Sequence, residues 1–435
     1  MGAHPRAYTA ATQQGHDNKG DHLDTQATPT EAKERIYTLD VIRGFALLGI
    51  FIMNMPWFNT SFFAGMDGTK LWPQWWDQWV ETGTEVLFSG KFNSMFSMLF
   101  AIGFIIQLER LEARDPTHAK AIYLRRIFWL FVFGAIHLCV FWGGDVLHIY
   151  ALMGLVLLAL RRAPEKLLWT LFAACLIYPV AMGIYRMMTF TPEVREHLLQ
   201  VAKGWETTNN AAYGHGSFLM AAREHTREAI YLYMDTRAFV RTLAFYVLVF
   251  CTMLLGLILG RRHFFQNSGN YLPQVRLVQW WSLAVGLAAG VVYGVWQATT
   301  TDFLTPTPFR VLANLCYWLC RVLIMAFYVA TIVRAVHHAG WRPRLAPMAI
   351  VGRMPLTNYL LQTLIATTLF YGWGVGLWGK VGNALDLLLA VVVFFAVQVP
   401  LSKWWLERFE LGPMEWLWRR LTYGHATFRR VPAAA

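Results

Sequence analysis

The chain alternates between long apolar runs and short polar connectors. Apolar stretches occupy about residues 41–58, 88–108, 123–142, 146–160 and 166–188, and after a gap 238–260, 276–298, 309–335, 346–372 and 384–402. Most approach the ~20 residues that an α-helix needs to cross a hydrocarbon core ~30 Å thick. None alternates every second residue, as the strands of a membrane barrel do. In hydrocarbon, backbone polar groups are satisfied within each helix. The pattern therefore predicts an all-α polytopic membrane protein, with about ten transmembrane helices in one bundle. The fourth run is short, and the eighth is long enough to emerge from the bilayer.

The connectors supply boundaries and orientation. Residues 1–35 are polar and predict a disordered tail without a cleavable signal peptide, since no basic segment followed by an apolar core is present. A single transmembrane domain is expected over 36–425, with a short C-terminal tail at 426–435. Basic residues fall in alternate connectors: Arg110, Arg114, Lys120, Arg125 and Arg126, then Arg161, Arg162 and Lys166, then Arg261 and Arg262, then Arg334, Arg342 and Arg344. The connector between the third and fourth runs has only Asp145, and that from Thr299 to Pro308 only Asp302. The positive-inside rule then predicts that both termini and the basic connectors are cytoplasmic. The Trp-rich segment 59–87 predicts an interfacial helix. Segment 189–236 predicts amphipathic helices over the outer mouth, and Trp404 to Tyr423 a cytoplasmic interfacial helix.

Composition narrows the class. Of 435 residues, 56% are hydrophobic and 15% charged, with 20 Trp and 30 Phe. Soluble domains average roughly 45–50% apolar and about 25% charged residues. This surplus excludes a soluble enzyme, a nucleic-acid module and a disordered chain, and makes the lipid bilayer the first partner. The net charge of +12 follows from the cytoplasmic connectors and needs no nucleic acid. The five cysteines lie in apolar runs and read as small hydrophobes. The bundle is open to homo-oligomerisation.

Polar residues inside the runs are costly unless paired or facing a cavity, so they are the candidate chemistry. The first run carries Asp40 and Arg43, which can form an interfacial ion pair, and Asn54 on nearly the same face as Arg43. Lys91, near the start of the second run, is expected to snorkel outward. His137 ends the third run, and Asp145 and His148 open the fourth across the turn Trp142 to Asp145. So short a connection brings both histidines to one carboxylate. Asp145 can cap the following helix, or fix an imidazole tautomer for base chemistry. No metal is expected, because the spacing matches no zinc motif. Arg321 lies mid-run, where it needs a counter-charge or an anion. Arg353, Asn358 and Gln362 can share a face. Together these predict a polar path from Arg43 and Arg353, past Arg321 and Gln362, to Asn54 and His137.

Longer stretches carry a resemblance. Leu39-Asp40-Val41-Ile42-Arg43-Gly44-Phe45, Met53-Asn54, Phe96-Ser97-Met98-Leu99-Phe100, Gly144-Asp145-Val146-Leu147, Gly352-Arg353-Met354, Leu356-Thr357-Asn358-Tyr359 and Gly412-Pro413-Met414-Glu415-Trp416 occur in one order. This resembles the YeiB family of membrane proteins, over nearly the whole chain after residue 35. The family is grouped with transmembrane acyltransferases related to heparan glucosaminide acetyltransferase. The resemblance implies acyl-CoA, such as acetyl-CoA, as a cytoplasmic donor in a central tunnel. Surface-sugar acyltransferases of that group carry a catalytic His where this chain has Asn54, so their catalytic residue does not transfer.

Two functions follow. The first is acyl transfer to an envelope glycan or small-molecule acceptor. His137 would be the base, oriented by Asp145 and assisted by His148. Asn54 would serve the oxyanion, and Arg43, Arg321, Arg353, Asn358 and Gln362 would bind the donor. The alternative is a transporter for a small anionic or proton-coupled solute along the same path.

Overall fold

A computed structural model describes residues 36–424. The tails expected at 1–35 and 426–435 lie outside the described residues. The helices, in chain order, are α1 (Tyr37–Asn59), α2 (Trp75–Leu87), α3 (Lys91–Arg114), α4 (Ala119–Ile136), α5 (Leu147–Leu160), α6 (Glu165–Thr189), α7 (Pro192–His215) and α8 (Phe218–Met234). They continue as α9 (Thr236–Arg261), α10 (Leu272–Thr299), α11 (Pro308–Val336), α12 (Ala346–Gly352), α13 (Pro355–Phe370), α14 (Asn383–Val393), α15 (Val399–Leu406) and α16 (Pro413–Tyr423). π-Helical turns at His137–Phe141 and Phe394–Gln398 extend α4 and join α14 to α15.

Among the described residues, eight helical stretches are long and apolar enough to cross a membrane. The other two predicted runs differ in kind. The fourth forms the 14-residue α5. The ninth is broken between α12 and α13 at Arg353 and Met354, just before Pro355, which has no N–H to continue the ladder.

Contacts between connectors sort the bundle into two ends. At the basic end, Tyr37 Oη donates to the Arg342 carbonyl (3.1 Å), Arg161 pairs with Glu112 (3.4 Å) and Arg261 reaches the Ala163 carbonyl (2.7 Å). At the opposite end, Gly379 N–H donates to the Asn59 carbonyl (2.8 Å) and Arg195 pairs with Asp302 (3.2 Å).

Helix α1 is the hub: Val41, Ile42, Ala46, Leu47, Phe51 and Met55 are fully buried. It crosses α12 at backbone contact. A Cβ on Gly44 would lie 2.0 Å from the Met348 carbonyl oxygen, and one on Gly352 1.9 Å from that of Asp40. Small residues permit such crossings between membrane helices, where dispersion packing rather than water exclusion drives association. Exposed apolar side chains such as Phe128, Phe131, Trp280, Trp281 and Val291 make the outward face one that suits lipid.

Three segments refine the reading from the sequence. The Trp-rich helix α2 does not simply lie on a surface. It packs on α10 and α14 and leads into α3, while Trp75 and Trp79 stay exposed. Its buried Asp77 accepts from the Ala384 N–H (2.8 Å) at the start of α14. Helices α7 and α8 are amphipathic, as expected, with Thr191 and Ser217 as side-chain caps. The stretch from Trp404 to Tyr423 is not one helix: it divides between the end of α15 and α16, and α16 docks on α4 and α13.

Candidate functional site

The π-helical turn ends at Phe141, and the chain reverses through Trp142, Gly143 and Gly144 to Asp145. This reversal places one buried carboxylate between two buried imidazoles. Asp145 Oδ1 lies 2.8 Å from His137 Nδ1, and Oδ2 lies 2.6 Å from His148 Nδ1. Oδ2 also accepts the His148 backbone N–H (3.0 Å). Capping and histidine orientation, alternatives in the sequence, are thus performed by one side chain. The approach requires Gly134 on α4: a Cβ there would stand 2.2 Å from His148 N and 2.9 Å from Asp145 Oδ2. π-Turns recur at functional sites, and here the extra residue lets His137 face Asp145.

The hydrogen-bond network assigns the tautomers. An ionised carboxylate only accepts, so each Nδ1 carries its proton and each Nε2 keeps a lone pair. Thr363 Oγ1 lies 2.9 Å from His137 Nε2, and Tyr233 Oη donates to His148 Nε2. Tyr246 Oη donates in turn to Tyr233 Oη (3.1 Å). The result is a chain Thr363–His137–Asp145–His148–Tyr233–Tyr246, drawn from α13, the π-turn and reversal after α4, α5, α8 and α9, and buried except at the half-buried Tyr233. A hydroxyl on an imidazole whose other nitrogen is held by a carboxylate is the geometry of a general base.

A cavity of ≈ 310 Å³ opens at the basic end. Arg43, Arg110, Arg126, Arg353 and Arg419 line it, with apolar walls that include Leu99, Phe100, Ile127 and Leu130. It reaches Val146, Leu147, Tyr150 and Tyr359. The Tyr359 ring lies 5.2 Å from the His137 ring, centroid to centroid, and Val146 and Leu147 separate Asp145 from His148 in the chain. From Leu39 to Ile50, α1 follows the wall for about 16 Å, at 1.5 Å per residue. Arg43 pairs with Asp40 (2.7 Å), as predicted.

Helix α16 closes one side of the mouth. The Arg126 guanidinium stacks on Trp418 at 3.6 Å, and Trp418 Nε1 donates to the Arg126 carbonyl (2.9 Å). Glu415 caps α13, accepting from Leu356 N–H (2.7 Å), Thr357 N–H (3.1 Å) and Thr357 Oγ1 (2.6 Å). Burial raises the pKa of its carboxyl, and the Thr357 and backbone bonds oppose that rise.

The predicted residues thus separate into groups. Arg43 and Arg353 share the cavity mouth, and His137, Asp145 and His148 form the buried unit. Arg321 does not line this cavity; it is buried against Tyr317 and Gly90. Asn358 and Gln362 also lie outside it. Asn358 donates to Ser402 Oγ (3.0 Å), and Gln362 donates to Gln398 Oε1 (3.0 Å) and the Leu47 carbonyl (3.1 Å). They join α13 to α1, α15 and the π-turn before it. Asn54 is half-buried and is not part of the lining. Lys91 does not snorkel: it is fully buried, and its Nζ turns back to donate to the Glu85 carbonyl near the end of α2.

Sequence reasoning missed Thr363, Tyr233 and the arginines Arg110, Arg126 and Arg419. It also missed a second buried cluster on α7 and α8. There Tyr213 Oη donates to Glu228 Oε2 (3.0 Å), His225 Nδ1 lies 2.9 Å from Tyr213 Oη, and Asn209 Nδ2 donates to Glu228 Oε1 (2.6 Å). A Cβ on Gly143 would lie 3.1 Å from Glu228 Oε2, so this cluster holds the outer helices against the turn that leads to Asp145. Its signal was the pair His225 and Glu228, one helical turn apart.

A family model described as "Protein of unknown function (DUF418)" matches residues 259–425. The chain is 31% identical over 405 residues to "Uncharacterized protein YxaH" of Bacillus subtilis, covering 91% of this chain and 96% of that protein. It is 27% identical over 415 residues to "Uncharacterized protein YeiB" of Escherichia coli, covering 89% of this chain and 96% of that protein. A Bacillus acidopullulyticus protein, "Uncharacterized 39.9 kDa protein in amylase 3'region", is 27% identical over 401 residues, covering 91% and 96%. No solved structure matches. With similarity running through almost its entire length, the chain belongs to the YeiB-like family of DUF418 membrane proteins.

Proposed function

We propose that this protein is a membrane acyltransferase that moves an acyl group from cytoplasmic acyl-CoA to a hydroxyl or amine of an envelope glycan or small molecule. The observation that carries this reading is a cavity that begins among arginines and reaches Val146 and Tyr359, the neighbours of Asp145 and His137. Guanidinium groups suit the donor's phosphates, because their planar fork matches phosphate oxygens. The apolar wall suits a pantetheine arm and a short acyl chain. The basic end then faces the cytoplasm of a bacterial inner membrane, following the positive-inside rule.

In the reaction, the acceptor O–H or N–H replaces Thr363 at His137 Nε2. The acceptor heteroatom attacks the thioester carbon as its proton passes to His137. The C–S bond breaks, CoA leaves as a thiolate, and the proton on His137 returns to that sulfur. Asp145 holds the imidazole in the Nδ1–H tautomer and stabilises the imidazolium. His148, itself bonded at Nε2 by Tyr233, holds the second carboxylate oxygen in place. Purified full-length protein in lipid nanodiscs, given labelled acetyl-CoA and an envelope glycan extract, should transfer label. His137→Ala should abolish transfer while leaving donor binding. Equal transfer by His137→Ala contradicts the reading.

A second reading, proton-coupled transport, draws on the broken helix at Arg353–Met354 and on the buried hydrogen-bonded chain. Discontinuous helices line the sites of many transporters. Solute uptake into proteoliposomes that needs His137, without any acyl transfer, would favour it.

A further inference from the structure

Away from the donor cavity, two cations are buried at one aromatic ring. Lys91 opens α3 and is fully buried, and Arg321 in α11 is 7% exposed. Lys91 Nζ lies 5.4 Å and Arg321 Cζ 5.2 Å from the centroid of Tyr317. Lys91 donates to the Glu85 carbonyl at the end of α2 (2.5 Å), which uses one of its three N–H bonds. Arg321 forms no hydrogen bond and no ion pair among the described residues, and its Nε is buried without a partner. Glu85 is a carboxylate near enough to feel both charges, but its oxygens pair with neither.

The backbone is shaped for this arrangement. Gly90 has φ +75°, and a Cβ there would stand 1.9 Å from Arg321 Nε. A left-handed glycine between α2 and α3 therefore leaves room for a guanidinium, at a point where a side chain would remove it. Both cations lie deep in the bundle. Arg321 is about 20 Å along α11 from Pro308, at 1.5 Å per residue, and Lys91 is fully buried beside it. An unpaired charge at that depth is strongly unfavourable, and intramembrane arginines ordinarily have carboxylates, carbonyls or ligands as partners.

We infer that Lys91 and Arg321 form a binding site for one small anionic group, held between α2, α3 and α11 against the Tyr317 ring. Glu85 can offset only one of the two positive charges, so the anion supplies the second counter-charge and accepts from the guanidinium edge that Glu85 does not reach. Its source is either a free anion or the phosphate of an anionic lipid. The site is separate from the donor cavity, so it stands or falls independently of acyl transfer.

The test uses delipidated full-length protein in a maltoside detergent, with ionic strength matched by bulky gluconate. Acetate, inorganic phosphate and phosphatidylglycerol are titrated in turn, and the melting temperature is read. At about a hundredfold excess over its dissociation constant, a bound anion should raise it by about 3 °C or more, saturably. Response to acetate or phosphate identifies a free anion, and response to phosphatidylglycerol alone identifies a lipid. Arg321→Met should abolish the response, and Arg321→Lys should retain part of it. The inference is overturned if no anion produces a saturable shift, or if Arg321→Met responds like the wild type. If the variants do not fold, a density map of wild-type protein in bromide decides: an anion between Lys91 and Arg321 supports the site, and its absence overturns it.

Discussion

His137 Nδ1 lies 2.8 Å from Asp145 Oδ1, eight positions along the chain, and a π-turn and a double-glycine reversal bring the two together. The same carboxylate holds His148 through its other oxygen. Asp145→Asn keeps the shape but replaces one acceptor oxygen with a donor, so one histidine must change tautomer. Acyl transfer should fall by about 10²-fold or more, while the protein remains folded by circular dichroism. His148→Asn should cost less than His137→Asn in the same assay, because only His137 bonds Thr363.

Gly134 is the spacer for that carboxylate. Gly134→Ala places a methyl group 2.2 Å from His148 N and 2.9 Å from Asp145 Oδ2. The backbone must move, at about 1–3 kcal/mol of stability. Thermal melting in detergent should show the loss. Gly83→Ala, where a Cβ would meet nothing within 4 Å, is the control and should melt like the wild type or slightly higher.

The donor mouth predicts a KM effect. Arg43→Gln and Arg353→Gln should each raise the KM for acetyl-CoA several-fold with a smaller change in kcat, because the phosphates are bound equally in ground and transition states. Lys166→Gln makes the same charge change at an exposed position outside the cavity and should leave KM unchanged.

Much of the fold was legible because hydrophobic runs and alternating basic connectors are imposed by the bilayer itself. The site was only half legible, for particular reasons. His137, Asp145 and His148 stood out because a four-residue reversal leaves them no room to be far apart. Thr363 did not, since a threonine in an apolar helix usually bonds its own backbone. Arg110, Arg126 and Arg419 were hidden by the topology rule, which needs basic residues at the same end whether or not they line a cavity. Arg321 stood out by its mid-run position, but the sequence did not show that it packs at Tyr317 and not along the arginine-lined cavity. Lys91 opens α3 as the sequence suggested, but the turn at Gly90 packs it inside the bundle, where it shares the Tyr317 ring with Arg321.

Glu415 ties the C-terminal helix to the start of α13. Glu415→Ala should cost about 1 kcal/mol, as loss of a helix cap does. Burial holds its carboxyl pKa above the ordinary value of about 4.3. The native state therefore binds this proton more tightly than the unfolded chain. Its contribution to stability is fully present below the unfolded pKa and declines as pH rises through the raised native one. Melting temperatures of wild type and Glu415→Gln across that interval should show the slope in the wild type and its loss in the variant.

The most direct measurement is a density map of the full-length protein with a non-hydrolysable acetyl-CoA analogue. The donor phosphates should lie against Arg43 and Arg353, the pantetheine arm along Leu99 and Phe100, and the carbonyl carbon within about 6 Å of His137 Nε2, leaving the width of one acceptor oxygen. An analogue bound elsewhere, or a cavity filled by lipid with no room for the arm, contradicts acyl transfer at His137.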